Sequence, residues 1–345
     1  MMKKKLTALL LATCMVFGLV GCGNSQESGD AQDSAGNGAE SENGETKDIT
    51  FVLDWTPNTN HTGLYVALEK GYYEEAGLNV TIVQPPEDGA AVLVASGDAQ
   101  FGIDFQDYLV PAFSGENQLP ITAVAGIIQH NTSGIVSLKG NGITSPKGMC
   151  GKTYATWDLD IEKAIIKYVV EKDGGNYDEV NMIPSTVTDI SSALKTDVDA
   201  VWIYYAWDGI ALETQGLESD FFYFKDCDPG LDYYSPVIIA NNEFLKSDPE
   251  TAKAFMQATK KGYEYAMENP DEAADILLEA APELDETIVH ESQKWLADQY
   301  QAEEPYWGYI NPERWDAFYD WLYENGVIGE QIPHGTGYTN EFIEE

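Results

Sequence analysis

Residues 49–68, ITFVLDWTPNTNHTGLYVAL, join an apolar stretch, a polar loop and a second apolar stretch of different spacing. The run Ile49–Leu53 is uninterrupted and rich in β-branched and aromatic residues, which predicts a buried strand. Apolar residues between Gly63 and Lys70 recur at helical spacing, which predicts a helix. The folded part of the chain therefore opens with a strand followed directly by a helix, the unit of α/β proteins.

The same order continues further along the chain. Strands are predicted at residues 80–83, 101–103, 121–128 and 134–138, and helices at 90–96 and from Asp104 through Leu109. Apolar runs that alternate with helical segments favour a mostly parallel sheet with helices on its faces.

A second, smaller unit of the same kind begins near Lys152. It is predicted to hold a strand at 152–155, a helix with its apolar stripe over 161–169, a strand at 180–183, a helix at 190–194 and a strand at 200–205. Past Pro236 the apolar residues return to helical spacing, so the C-terminal third is predicted to be mainly helical.

The predicted fold class is therefore α/β, with two α/β lobes joined by two crossovers near Val136 and Val237. Lobe 1 comprises residues 48–136 and 237–345, including the helical C-terminal part, and lobe 2 comprises residues 137–236. In such a protein a ligand is expected between the lobes, at the carboxyl ends of the strands.

The first residues carry a targeting signal. Three lysines, Lys3 to Lys5, precede an uncharged run of 15 residues that ends just before Gly21-Cys22. The run is shorter than the roughly 20 residues that cross a bilayer, and the pattern resembles a bacterial lipoprotein signal peptide, residues 1–21, with lipidation at Cys22. A buried N-terminal helix or a weak membrane anchor is the alternative.

The lipidated cysteine is followed by a polar segment. Residues 23–47 contain no aromatic residue and no Leu, Ile, Val or Met, so they are predicted to form a disordered tether, residues 22–47 with the cysteine. We expect a protein anchored to the cell membrane by lipid alone, with its folded part on the extracytoplasmic face.

Composition excludes several classes of function. The chain has 58 acidic and 19 basic residues and a formal net charge of −39, which repels nucleic acid. Its four cysteines lie too far apart in sequence for a disulfide scaffold or a zinc cage. No metal, no cofactor and no nucleic-acid partner is therefore predicted.

Several short motifs point to one family. They are Phe51 to Leu68, Lys70-Gly-Tyr-Tyr-Glu-Glu-Ala-Gly-Leu78, Gln84-Pro-Pro-Glu-Asp-Gly89, Ile127-Ile-Gln-His-Asn-Thr-Ser-Gly134, Ile161-Glu-Lys-Ala164, Trp207-Asp-Gly-Ile210 and Leu231-Asp-Tyr-Tyr-Ser-Pro-Val237. Together they resemble the thiamine-pyrimidine-precursor (formylaminopyrimidine) binding proteins of ABC importers. The resemblance covers almost the whole folded part of the chain.

The resemblance carries expectations about fold and function. It implies a type II periplasmic-binding-protein fold that captures a thiamine pyrimidine precursor such as formylaminopyrimidine or hydroxymethylpyrimidine. The implied partners are this small heteroaromatic ligand and the permease and ATPase subunits of an importer, and the protein is expected to act as a monomer without catalysis. Riboflavin or another heteroaromatic compound is the alternative ligand.

Candidate site residues on the first lobe follow predicted strands. Trp55 offers a ring for stacking, while Asn60 and His61 offer hydrogen bonds from the next loop. The alternative is that the loop asparagines are turn formers and that the histidine faces solvent. Asp104 is a candidate ligand acceptor or a helix N-cap, and Gln129 and Asn131 are expected to line the cleft near the first crossover.

Candidate site residues on the second lobe are mostly aromatic. Trp157 is expected to stack on the ligand, and the resemblance places a ligand-facing glutamate at Glu162. The alternative for Glu162 is an interaction with the helix dipole. The remaining candidates are predicted to reach the cleft from a strand end and from the second crossover: Trp207, Asp208, Tyr233 and Tyr234.

The resemblance also extends to fungal pyrimidine-precursor synthases, which are enzymes. The matching synthase segment near Cys227 is a cysteine-rich cluster linked to iron, whereas this chain has one cysteine there. His61 matches an active-site histidine of the synthases, and a single histidine does not make a catalyst. A glycosidase carboxylate pair and an adhesive surface lipoprotein remain weaker alternatives.

The lipoprotein signal predicts a simple result. Substitution Cys22→Ala removes the acceptor thiol, so the protein should be released or mislocalised and should incorporate no radioactive fatty acid. Labelling of the unchanged chain is the control, and a wild-type chain without label at Cys22 would contradict the signal.

Overall fold

The computed structural model describes residues 46–87, 89–115 and 118–344. The predicted signal peptide at 1–21, the lipidation site Cys22 and the tether as far as residue 45 lie outside the described residues. The first strand begins at Lys47, so the folded part starts one residue earlier than predicted.

Within the described residues, ten strands form two five-stranded sheets. They are β1 Lys47–Val52, β2 Leu78–Val83, β3 Phe101–Asp104, β4 Ile121–Gly126, β5 Ser133–Leu138, β6 Thr153–Thr156, β7 Asn181–Pro184, β8 Ala200–Tyr204, β9 Ser219–Tyr223 and β10 Val237–Asn241. The strand order is β2-β1-β3-β10-β4 in the first sheet and β7-β6-β8-β5-β9 in the second.

Four of the five strands in each sheet run in the same direction, as the predicted mostly parallel sheet requires, and one inserted strand, β10 or β5, runs against them. In the first sheet β1 pairs parallel with β2 and β3, but β10 pairs antiparallel with β3 and β4. In the second, β6 pairs parallel with β7 and β8, but β5 pairs antiparallel with β8 and β9. A buried strand reads as an apolar run in either direction, so the sequence pattern does not encode strand direction.

Helices cover the sheets and form the C-terminal third, as predicted. They are α1 Thr62–Glu69, α2 Tyr72–Glu75, α3 Ala90–Ser96, α4 Val110–Phe113, α5 Asp160–Lys172, α6 Ile190–Thr196, α7 Ile210–Thr214, α8 Phe224–Cys227, α9 Asn242–Ser247, α10 Pro249–Glu268, α11 Pro270–Ala280, α12 Glu286–Ala297 and α13 Pro312–Glu324. A helical turn at Tyr205–Gly209 ends the run predicted as strand 200–205.

The helix predicted from Asp104 through Leu109 is absent from the described residues. That segment forms turns, and the short helix α4 starts only at Val110. Pro111 lies in its first turn, where the missing proline N–H has no helical partner to lose. The two aspartates Asp104 and Asp107 therefore precede the helix without capping it, because the N-cap residue is Leu109.

The chain passes between the sheets twice. It leaves the first sheet after Gly126 and enters the second at Ser133, so Val136, which pairs with Val201 and Phe221, lies inside the second sheet. It leaves the second sheet after Tyr223 and returns at Val237. We therefore propose to move the first lobe boundary from Val136 to residues 127–132 and to keep the second at Val237.

Helices α1 and α10 pack in close contact beside the first sheet. A Cβ atom on Gly262 would lie 2.0 Å from the carbonyl oxygen of Gly63, so neither backbone leaves room for a side chain. The buried ring of Phe255, also on α10, stacks on Phe101 of β3 at a centroid distance of 4.2 Å. The helical part of the chain is thereby fixed to the first sheet.

This close approach predicts a large difference between two glycine substitutions. Gly262→Ala should lower the free energy of unfolding by about 1–3 kcal/mol, because the added methyl group forces the two helix backbones apart. Gly329→Ala is the matched control, since nothing lies within 4 Å of its added Cβ. Equal denaturant midpoints for the two variants would contradict the packing.

Candidate functional site

The carboxyl ends of four strands meet between the two lobes. Asp54 follows β1, Asp104 ends β3, Thr156 ends β6 and Tyr204 ends β8. The ring of Phe105, directly after β3, stacks on Tyr204 at a centroid distance of 5.7 Å and an interplanar angle of 29°. This ring pair joins the two lobes at the predicted switch point of the fold.

A helix of the C-terminal third also touches both lobes beside these strand ends. Ser292 of α12 shares a hydrogen bond of 2.6 Å with Thr59, in the loop after β1. Its hydroxyl also donates to the carbonyl oxygen of Ala206, in the helical turn after β8. The loops that surround the site are therefore held together from both sides.

Two buried carboxyl groups lie at the end of β3. Burial raises the pKa of Asp104 to about 7, although the backbone N–H of Phe105 donates to its Oδ1 at 2.8 Å. Burial likewise raises the pKa of Asp107 to about 7. The other charges that act on Asp104 are those of Asp107 and Asp54, which raise its pKa further. The pair is therefore acidic and desolvated, and burial favours the protonated form of both carboxyl groups.

Buried polar atoms without hydrogen-bond partners gather around this pair. Within the described chain they include Asp107 Oδ1 and the hydroxyl groups of Ser133, Tyr233 and Ser235, of which Ser133 lies beside Tyr233 and Ser235 lies beside Tyr204 without a well-formed hydrogen bond. The charge of Asp107 contributes to raising the pKa of both Tyr233 and Tyr204, after burial. Buried polar groups are almost always hydrogen-bonded, and an orphaned one costs about 1–3 kcal/mol. The arrangement leaves several donors and acceptors for the polar atoms of a bound molecule.

His61 is fully buried and held in one orientation. Its Nδ1 accepts from the backbone N–H of Asn58 at 3.2 Å, so Nε2 carries the proton and donates to Asp54 Oδ1 at 2.7 Å. Both ring nitrogens are therefore used by the protein itself. The alternative of a solvent-facing histidine is wrong because the ring is buried, and the ring positions the Asp54 carboxylate at the end of β1 instead of offering the predicted hydrogen bond to a ligand.

Glu162 is 3% exposed and serves its own lobe. Its Oε1 accepts from the Tyr154 hydroxyl at 2.6 Å and from Trp157 N at 3.2 Å. Its Oε2 accepts from the Thr156 hydroxyl at 2.9 Å and from Leu159 N at 3.3 Å. A carboxylate offers about four acceptor positions, so none is left for a ligand edge. The expected ligand-facing glutamate is therefore a structural group in this geometry.

Aromatic side chains form a wall on the second lobe. The ring of Trp157 is half-buried and lies 5.8 Å from Trp202, at an interplanar angle of 51°. Trp202 packs in turn on Phe224 at 4.1 Å, and its indole N–H has no hydrogen-bond partner among the described residues. Trp157 thus remains a candidate for stacking.

The side-chain amides of Gln129 and Asn131, near the first crossover, form hydrogen bonds that fix this crossover to the rest of the protein. Gln129 donates to the Tyr309 carbonyl at 3.0 Å and accepts from the Tyr234 hydroxyl at 3.3 Å. Asn131 donates to the Leu231 carbonyl at 2.9 Å and accepts from Ser133 N at 2.9 Å. The expectation that these amides, or Tyr234, line the cleft is not supported, because their polar atoms bind protein groups.

The other predicted residues are divided between the surface and the lobe interface. Trp55 is 58% exposed, and Asn60 is half-buried with its carbonyl oxygen bound by the Tyr263 hydroxyl at 2.7 Å. Trp207 packs against a cluster on α11 and α12, so it lies at the interface of the lobes. Burial raises the pKa of its neighbour Asp208 to about 6.

Sequence reasoning did not predict four of the residues that the structure brings to the candidate site: Asp107, Ser133, Tyr204 and Ser235. A signal for Asp107 was present, because two aspartates three residues apart follow β3 and one N-cap explains only one of them. No sequence signal marks the two serines, which become buried only when the crossovers pass between the lobes.

The described cysteines, Cys150 and Cys227, are both free. Within residues 46–87, 89–115 and 118–344, no group of three or more His, Cys, Asp or Glu side chains is arranged to hold a metal ion. Over the same residues, no helix is long and apolar enough to cross a membrane.

Comparison with solved structures confirms the predicted two-lobed α/β fold. The alkanesulfonate-binding protein SsuA from Xanthomonas axonopodis pv. citri, bound to MOPS, superposes with a TM-score of 0.62 at 12% identity. The match covers 86% of this chain and 99% of that chain. The protein has the fold of the type II periplasmic binding proteins.

Sequence comparison narrows this class to a family. Residues 58–273 match the family described as NMT1/THI5 like, and the chain belongs to this family. A formylaminopyrimidine-binding protein of Halalkalibacterium halodurans is 31% identical over 281 residues, 79% of this chain and 84% of that protein. A 4-amino-5-hydroxymethyl-2-methylpyrimidine phosphate synthase of Saccharomyces cerevisiae is 24% identical over 323 residues, 86% of this chain and 88% of that protein. The resemblance seen in the motifs is confirmed.

The contacts of Glu162 predict an effect on stability. In Glu162→Gln the amide NH₂ must face a backbone N–H, of Trp157 or Leu159, so unfolding should become easier by about 1–3 kcal/mol. Asp160→Asn, an exposed change in the first turn of the same helix, should cost under about 1 kcal/mol.

Thermal and chemical melting of both variants would measure this difference. A Glu162→Gln protein as stable as the wild type but weak in ligand binding would return this glutamate to the ligand site.

Proposed function

We propose that this protein is the solute-binding component of an ABC importer and captures a thiamine pyrimidine precursor in the site between its lobes. The two ligands that we favour are formylaminopyrimidine and hydroxymethylpyrimidine. The observation that carries the proposal is the group of buried, unpartnered polar atoms around Asp107 at the strand ends. The formylaminopyrimidine-binding protein of H. halodurans supports the ligand class.

The chemistry of the site suits a flat ring with N–H groups. Phe105 and Tyr204 present stacked rings from the two lobes, and Trp157 adds an indole on the second lobe. Carboxyl oxygens at Asp104 and Asp107 offer acceptors for amine hydrogens. An anionic ligand would instead meet acidic groups in a desolvated setting, which is costly.

Binding without catalysis is part of the proposal. Both nitrogens of His61 are engaged by protein groups, so a reaction that uses this ring as acid or base would first have to break a hydrogen bond. The synthase of S. cerevisiae is similar at 24% identity, which keeps the enzyme as the second candidate function.

The cellular setting is proposed from the sequence. The protein would be held at the extracytoplasmic face of the cell membrane by lipid at Cys22 and would deliver its ligand as a monomer to permease and ATPase subunits. The architecture suits this role, because each sheet forms one lobe and a ligand held between two lobes can be released to a membrane partner.

Native mass spectrometry of the purified protein is the first test, because it detects a carried ligand and its mass. Calorimetry with formylaminopyrimidine, hydroxymethylpyrimidine, riboflavin and thiamine then ranks the candidates. We expect pyrimidine binding and no product from pyridoxal phosphate with added iron. Tight binding of riboflavin alone, or product formation, would favour the respective alternative.

Stacking by Trp157 gives a prediction with a matched control. Trp157→Ala should weaken every flat ligand by about 2- to 12-fold, the equivalent of one lost ring contact. Tyr323→Ala removes an exposed aromatic ring from α13 and should leave affinity unchanged. Equal affinities for the two variants would remove Trp157 from the site.

A further inference from the structure

Asp107 is a buried acid for which the protein supplies no neutralising charge. Its side chain is 7% exposed, and its Oδ1 has no hydrogen-bond partner in the described chain, while the backbone N–H groups of Asp107 and Tyr108 favour the charged form of the carboxyl group. Titratable groups face its surroundings from every neighbouring element: Asp54 and His61 after β1, Asp104 at the end of β3, Tyr108 beside it, Glu162 on α5, Tyr204 at the end of β8, Tyr233 before β10 and Tyr319 on α13. All of these are acids or phenols except His61, whose two ring nitrogens bind Asn58 N and Asp54 Oδ1.

We propose that Asp107 determines specificity in this site. Its free Oδ1 and its other carboxyl oxygen, Oδ2, pair with the amine and ring-nitrogen edge of an aminopyrimidine. The complex holds one proton between the carboxyl group and the ring. The proposal rests on the proposed function, since it presumes an aminopyrimidine ligand. It goes further by stating which residue recognises the ring and how many protons the acid and the ring share in the complex.

The pairing follows from donor and acceptor counts. A protonated carboxyl group donates its O–H to the ring nitrogen and accepts from the neighbouring amine. Moving the proton to the ring gives a carboxylate and an aminopyrimidinium, with the same atoms and the same two hydrogen bonds. Without the proton, a carboxylate oxygen faces the lone pair of the ring nitrogen, and one of the two bonds is lost.

The direction in which ligand affinity changes with pH follows from the proton that the complex requires. Burial places the pKa of Asp107 in the empty protein at about 7, so the required proton is already bound below pH 7. Above that pH it must be taken up from solvent when the ligand binds. Affinity for an aminopyrimidine should therefore fall by about tenfold per pH unit above about pH 7.5, with uptake of one proton per ligand.

Substitutions at Asp107 separate the effect of its titrating proton on binding from the effect of the shape of its side chain. Asp107→Asn carries a donor and an acceptor at every pH, so it should bind within a few-fold of the wild type at pH 6.5 and lose the pH dependence. Asp107→Leu lacks both and should bind at least about tenfold more weakly at pH 6.5. Asp285→Asn makes the same chemical change at the exposed N-cap of α12 and should behave as the wild type does.

Calorimetry from pH 6 to 9, in two buffers of different ionisation enthalpy, measures both affinity and proton uptake. The probes are formylaminopyrimidine, 4-amino-2-methylpyrimidine and 2-methylpyrimidine, of which the last lacks the amine and should bind at least about tenfold more weakly. Melting curves establish that each variant is folded, and the wild-type pH profile alone remains decisive if Asp107→Leu does not fold.

The outcomes distinguish the two proposals. Aminopyrimidine binding with a flat pH profile in the wild type, or with an unchanged slope in Asp107→Asn, overturns the role of Asp107 and leaves the proposed function standing. A wild-type protein that binds none of the probes at any pH overturns both.

Discussion

Each sheet of this protein is completed by a strand that the chain delivers from the other lobe. β10 lies between β3 and β4, and β5 lies between β8 and β9. An inserted strand exchanges hydrogen bonds with neighbours on both sides, so its position is fixed. The connecting segments are then held side by side: His130 binds Asp232 at 2.7 Å, and Ile127 N donates to the Pro236 carbonyl at 3.1 Å. The functional site forms around these two segments, because they bring the carboxyl ends of the strands together.

The polar groups of this region fall into two sets. In the first set every atom is used within the protein, as in Glu162 with its four donors and His61 between Asn58 and Asp54. In the second set, around Asp107, buried acceptors and hydroxyl groups have no partner among the described residues. The first set holds the loops in place, and the second is the set that we propose to receive the ligand. Preorganised groups of this kind reduce the ordering cost of binding.

Local sequence patterns were sufficient for most of the architecture. The apolar run Ile49–Leu53 and the helical spacing from Gly63 predicted β1 and α1 closely, and helix 90–96 was predicted with its observed bounds. The reversed direction of β5 and β10 and the first crossover could not be predicted, because an apolar run looks alike in either direction and in either sheet. For the candidate site, the motifs led to the strand ends between the lobes, but the hydrogen-bond partners of the side chains there could not be predicted. Whether a carboxylate such as Glu162 is saturated depends on residues that only the folded chain brings near it.

The central claim is that the unpartnered groups between the lobes receive the ligand, and a crystal structure of the complex with formylaminopyrimidine tests it most directly. We expect the ring between the lobes beside Phe105 and Tyr204, with its amine within hydrogen-bond distance, about 2.7–3.2 Å, of a carboxyl oxygen of Asp107. A ligand held elsewhere, or one whose amine contacts Glu162 while Asp107 stays unpartnered, would contradict the claim.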